Sequence, residues 1–150
     1  MAGIAACDVP EGSLLAGFGG PEDYRDCFCR EVPGTVFLPE YIERFYCSIA
    51  FRPERLVLTL MGRGASSKDA RALARGETDH IAVWKVIERR DTQILLESAG
   101  TGTASWLAVE PLGDGTRLFF GSWVGKPERP VMLALYRLHR LYSRILLGGC

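Results

Sequence analysis

From His80 to Val124 apolar and polar residues alternate with a period of two, the spacing of strands that bury one face. Four strand-length runs succeed one another: HIAVWKVIER (His80 to Arg89), QILLES (Gln93 to Ser98), TASWLAVEP (Thr103 to Pro111) and TRLFFGSWV (Thr116 to Val124). Short polar or glycine-containing turns separate them, so the pattern predicts an antiparallel meander. Asp114-Gly115 is a strong two-residue hairpin signal, and pairing about it sets Gly113 opposite Thr116 and Trp106 opposite Trp123. One hairpin face then carries Trp106, Ala108, Glu110, Phe119, Gly121 and Trp123, and the other carries Ser105, Leu107, Val109, Leu118, Phe120 and Ser122. The second face is uncharged and is expected to point inward.

Upstream the pattern changes. Residues 1–22 are rich in Gly, Pro and Ala and read as an N-terminal arm, leaving 23–150 as a single domain. YRDCFCREV (Tyr24 to Val32), closed by Pro33-Gly34, predicts a first strand. Tyr41, Ile42, Phe45 and Ile49 have helical spacing behind Pro39, a residue suited to a first helical turn. A second short helix is expected from Pro53 to Met61, stopped by Gly62. A third follows the capping signal Ser66-Ser67-Lys68-Asp69, with Ala70, Leu73 and Ala74 on its apolar side and Gly76 at its end. The most periodic stretch is Pro130 to Leu147, where Val131, Leu135, Leu138, Leu141, Tyr142 and Ile145 share one stripe, Arg137, Arg140 and Arg144 lie opposite, and His139 falls at the margin. It predicts a long amphipathic helix that packs on the inward sheet face. On the other face, beyond that helix's reach, Trp106 and Trp123 would stand exposed together; such patches mark interfaces, so a homodimer is expected.

Length and charge narrow the classes of function. A chain of 150 residues can bury a sizeable core. Its 18 basic and 18 acidic side chains cancel, removing the electrostatic footprint of a nucleic-acid binder. The cysteines Cys7, Cys27, Cys29, Cys47 and Cys150 are odd in number and suggest no disulfide framework, so a reducing, cytoplasmic location is expected. Cys27 and Cys29 lack the two-residue spacer and second knuckle of a zinc site, and neither metal nor cofactor is expected. No apolar run reaches the roughly 18 residues of a membrane span.

The segments DCF (Asp26 to Phe28), WKVIER (Trp84 to Arg89), ILLES (Ile94 to Ser98), SWLAV (Ser105 to Val109), TRLFFGS (Thr116 to Ser122) and LYRLHRL (Leu135 to Leu141) are together similar to a bacterial family known only as a domain of unknown function. The element order resembles the START-related superfamily of lipid carriers, pollen-allergen-like binders and polyketide cyclases. That resemblance, from about Tyr24 to Leu147, implies an α+β helix-grip fold: an antiparallel sheet curled around a long C-terminal helix, with short helices after the first strand. It brings no assigned reaction and no catalytic residues.

In such a fold the ligand would lie between sheet and helix, in a mostly apolar pocket with a few placed polar groups. Ser98, Ser105, Ser122 and His139 are the candidate polar groups, and Trp84, Leu107, Phe120 and Tyr142 the candidate apolar wall. The expected function is binding of a small apolar or amphipathic molecule. Two alternatives stand beside it: an enzyme of cyclase, dehydratase or hydrolase type using the same cavity, and a dimeric interaction module. His80 and His139 are the residues of a type suited to acid–base work near neutral pH, and Glu97 could serve as a base if it were buried, against its reading as a solvent-facing strand residue that shares a face with Gln93. A serine beside His139 would suit hydrolysis, but the chain has no G-x-S-x-G elbow. AGTG (Ala99 to Gly102) joins two strands and lacks a lysine, so it reads as a turn and not as a phosphate loop.

Overall fold

The computed structural model describes residues 4–50, 67–81, 84–98 and 102–125. The period-two runs become strands of one antiparallel sheet. Its members are β1 (Ala5–Ala6), β2 (Tyr24–Pro33), β3 (His80–Ile81), β4 (Trp84–Arg89), β5 (Gln93–Ser98), β6 (Thr103–Leu112) and β7 (Gly115–Val124), in the order β1-β2-β7-β6-β5-β4-β3. Consecutive strands from β3 to β7 pair as a meander, and β2 closes onto β7 over its whole length, from Tyr24 opposite Val124 to Pro33 opposite Gly115.

Two short helices, α1 (Leu38–Ala50) and α2 (Ser67–Ala74), lie against one face. Their apolar sides supply Tyr41, Ile42, Phe45 and Tyr46 from α1 and Ala70, Leu73 and Ala74 from α2, which form one buried cluster with Phe28, Ile94, Leu96, Leu107, Val109, Leu118 and Phe120. Phe45 stacks at a tilt on Phe120, with ring centroids 4.9 Å apart. The Tyr41 hydroxyl donates to the Phe119 carbonyl at 2.8 Å, fixing α1 to β7. Arg89 closes α2 by donating to the carbonyls of Leu73 and Ala74 at 2.7 and 2.6 Å, the unpaired acceptors of a helix C-terminus.

These observations correct the expected helix-grip architecture. The described residues form a β-rich fold whose only helices are short, and the uncharged face of the hairpin is covered by α1 and α2. Among the described residues, the apolar sides of α1 and α2 are what meets this face. The helices expected over Pro130 to Leu147 and Pro53 to Met61 lie outside the described residues.

Two local details also differ. The run from His80 to Arg89 is two strands, with His80 opposite Lys85 and Ile81 opposite Trp84, and the reversal puts Ile81 into the core cluster. The β6–β7 turn is Gly113-Asp114, with Leu112 opposite Gly115 and Trp106 opposite Gly121 instead of Trp123. Gly115 is taken up by the strand because a Cβ there would meet the Val32 carbonyl oxygen of β2 at 2.5 Å, so its missing side chain admits a backbone instead of bending a turn. The register moves by two residues, which preserves the assignment of side chains to faces.

Candidate functional site

Beyond the apolar centre of the α-covered face, the side chains turn polar toward one end of the sheet. In an antiparallel pair, directly opposed residues project from the same face with Cβ atoms about 4.5–5.5 Å apart. Ser105 of β6 opposes Ser122 of β7, and Ser122 opposes Asp26 of β2, so the three make a row across three strands that continues to Leu96 of β5. The next row outward runs Ser98, Thr103, Val124, Tyr24. The register of β4 on β5, with Lys85 opposite Glu97 and Val86 opposite Leu96, places Trp84 beside Ser98. The next row inward, Ile94, Leu107, Phe120, Phe28, is wholly apolar.

Five hydroxyls and one carboxylate therefore gather where the apolar core ends. The three serines are buried, while Tyr24, Asp26, Thr103 and Trp84 are half-buried at the margin. The Tyr24 hydroxyl donates to Asp26 Oδ2 at 3.1 Å. Chemically, the cluster offers a carboxylate acceptor and hydroxyls that both donate and accept, next to the buried apolar row of Phe28, Phe120 and Leu107.

Of the residues expected at the site, the structure brings six to this face. Ser98, Ser105, Ser122 and Trp84 lie in the two polar rows; Leu107 and Phe120 lie one row deeper, packed in the core with Phe45 of α1. His139 and Tyr142 lie outside the described residues. Tyr24 and Asp26 were not singled out. Their alternation, Tyr24-x-Asp26-x-Phe28, assigns them to one strand face, but only the pairing of β2 with β7 puts that face beside Ser122. Glu97 opposes Ala104 and Lys85 on the opposite face and does not join the cluster.

That opposite face corrects the expectation of an exposed tryptophan pair. Trp106 is 2% exposed and belongs to a second core with Leu14, Leu15, Cys27, Leu95, Ala104, Ala108 and Phe119. The cover is the N-terminal arm, which adds β1 to the sheet and lays Leu14 and Leu15 over the indole. The Gln93 side-chain oxygen accepts from both Trp106 Nε1 at 3.0 Å and the Leu14 N–H at 2.9 Å, clasping arm to sheet. Arg25 donates to the carbonyls of Leu15, Phe18, Gly20 and Asp23 and so organises the rest of the arm. Trp123 packs edge-on against Phe18 and donates to Asp23 Oδ2 at 3.0 Å. The Gly20 N–H first, and the Trp123 indole second, hold the Asp23 carboxyl below the usual aspartate range. The apolar patch from which a dimer was expected is thus filled by the chain's own arm.

Among the described residues no group of three or more His, Cys, Asp and Glu side chains is arranged to hold a metal ion, and no helix is long and apolar enough to cross a membrane. Comparison with protein-family models, with curated proteins and with solved structures finds no match, and nothing there links the chain to the START-related superfamily.

Proposed function

We propose that the protein binds a small amphipathic molecule at the polar end of the α-covered sheet face. The observation that carries this reading is the convergence of Tyr24, Asp26, Ser98, Thr103, Ser105 and Ser122 from four strands at the edge of an otherwise apolar core. A core needing only stability is filled with apolar groups, because each buried hydroxyl or carboxylate costs free energy that its hydrogen bonds only just offset. Ligand sites have the opposite composition, an apolar wall with a few polar groups that fix orientation. The ligand's polar end would meet Asp26 and the serines, with a donor group such as a hydroxyl or amine facing the carboxylate, and its apolar part would lie along Trp84 and the adjoining core.

Native mass spectrometry of the protein from its expression host, followed by extraction, tests for a retained small molecule. Titration with the neutral probe N-phenylnaphthylamine, which carries one N–H donor, tests the site directly. Asp26→Asn and Ser122→Ala should each weaken probe binding by roughly 5- to 100-fold, the equivalent of one lost hydrogen bond to a charged or neutral group. Unchanged affinity in both folded variants refutes the assignment. A second reading, acid–base chemistry at the same cluster, rests on the Tyr24–Asp26 hydrogen bond. It requires that a bound molecule be converted to a different compound, resolved by chromatography of the extract, on incubation with the wild type and not with Asp26→Asn.

A further inference from the structure

A second chemical cluster lies on the opposite face of β2, independent of the proposed binding site. Cys27 and Cys29 are two residues apart on the strand and project from one face. The pairing of Ala5 with Cys29 and Ala6 with Phe28 continues to Cys7, whose N–H donates to the Cys27 carbonyl at 2.9 Å. Cys7 and Cys27 are thereby opposed across two strands, with their sulfur atoms 3.4 Å apart, and both are free thiols. Opposed residues in an antiparallel pair hold their Cα atoms about 4.5–5.5 Å apart, inside the roughly 4.4–6.8 Å that a disulfide spans. That spacing and the 3.4 Å between the sulfur atoms suit closure of the bond by side-chain rotation. Access is graded as well: Cys7 is half-buried, whereas Cys27 is buried beneath it at 3% exposure.

We propose that Cys7 and Cys27 form a redox pair which reacts with low-molecular-weight disulfides to make a reversible bond fastening the N-terminal arm to β2. Cys7 is the attacking group, being the one a solute can reach. Its thiolate displaces one thiolate from the oxidant RSSR, forming a mixed disulfide, and the released RS⁻ takes up the proton that Cys7 gave. Cys27, deprotonated in turn, attacks Cys7 Sγ and expels the second RS⁻, which takes up the second proton. Two protein thiols are oxidised and one RSSR is reduced to two RSH, so the exchange balances without a further electron acceptor. Cys29 also lies beside Cys7, but its register partner is Ala5, which makes Cys27 the direct partner.

The surroundings set the speed. Burial, the largest influence, pushes the Cys7 thiol up to about 11, with Cys27 and Cys29 on β2 and Arg117 on β7 as the groups acting on it. Burial raises the Cys27 thiol further still, so thiolate is scarce at both sulfurs at neutral pH, and the exchange should keep accelerating as the pH rises from about 7 to 10, where an ordinary cysteine would level off above its pKa of about 8.5. The pair is a slow clamp that answers sustained oxidation.

The test uses the full wild-type chain incubated with oxidised glutathione, quenched by alkylation and cut with chymotrypsin, whose cleavage after Phe28 separates Cys27 from Cys29. The expected product has lost two hydrogen atoms, contains a Cys7–Cys27 cross-linked peptide, and reverts with dithiothreitol. Cys29→Ser should keep the cross-link, and Cys27→Ser should accumulate glutathione on Cys7. Oxidation should raise the thermal midpoint by roughly 6 to 12 °C, as expected for closing a loop of about 20 residues in a chain of this size. Mapping the wild type requires no variant to fold. A Cys7–Cys29 bond in place of Cys7–Cys27, a Cys7 that stays unmodified, or a bridge that leaves the midpoint unmoved overturns the proposal.

Discussion

Truncating Phe120 to alanine is the most direct probe of which element covers the uncharged sheet face. Phe120 is 2% exposed, opposes Leu107 and Phe28 on its two neighbouring strands, and meets Phe45 of α1 at a centroid distance of 4.9 Å. Phe→Ala at a buried site costs about 3–5 kcal/mol, as lost transfer energy plus an unfilled cavity. In a chain of this length each kcal/mol shifts the thermal midpoint by roughly 2–4 °C. The Phe120→Ala variant should therefore melt roughly 6 to 20 °C lower, a span set by how far α1 collapses into the space. The origin of that loss is isolated by a double-mutant cycle with Phe45→Ala. Two rings in contact are worth about 0.5–1.5 kcal/mol beyond their buried area, so the double variant should be less destabilised than the sum of the singles by about that amount. Urea denaturation of the four proteins, read by tryptophan fluorescence, supplies the free energies. Additivity within about 0.3–0.5 kcal/mol would mean that α1 does not pack on Phe120, and the assignment of this face to the helices would fail.

Two further outcomes follow from the opposite face. Gly121→Ala should destabilise by about 1–3 kcal/mol through overpacking, because a Cβ there meets the Leu15 side chain, Trp106 Cε3 at 3.0 Å and the Asp26 carbonyl oxygen at 3.1 Å; chemical denaturation measures it, and a neutral effect would show that the arm does not press on the sheet at Leu15. The Asp23 carboxyl, held below its ordinary value of 3.8 by the Gly20 and Trp123 donors, favours folding fully above that value and loses its contribution as the pH falls through the lower value of the folded state. The Trp123 indole N–H resonance should accordingly follow an acid transition below pH 3.8 that Asp23→Asn abolishes; the same profile in the variant would refute the link.

The long strands β2, β5, β6 and β7, the two faces of the β6–β7 hairpin and the positions of α1 and α2 could be read from the chain because each depends on a short-range period. Whether Phe120 and Leu107 point the same way is decided by alternation along a strand and by a hairpin of known parity, and a register error of two residues leaves that answer intact. For the same reason Ser105 and Ser122 could be placed on one face. What covers each face could not be read, because hydrophobic cover is non-directional and any apolar stripe of adequate width will serve. The chain holds several such stripes; the packing uses α1 and α2 on one side, and on the other an arm whose Gly and Pro content marked it as irregular but whose Leu14 and Leu15 bury Trp106. That Asp26 and Tyr24 stand in the same polar cluster could not be read for a related reason. Their strand is the first long one in sequence and pairs with the last of the described strands, a long-range partnership, and no local pattern around Asp26 announces that Ser122 will stand beside it.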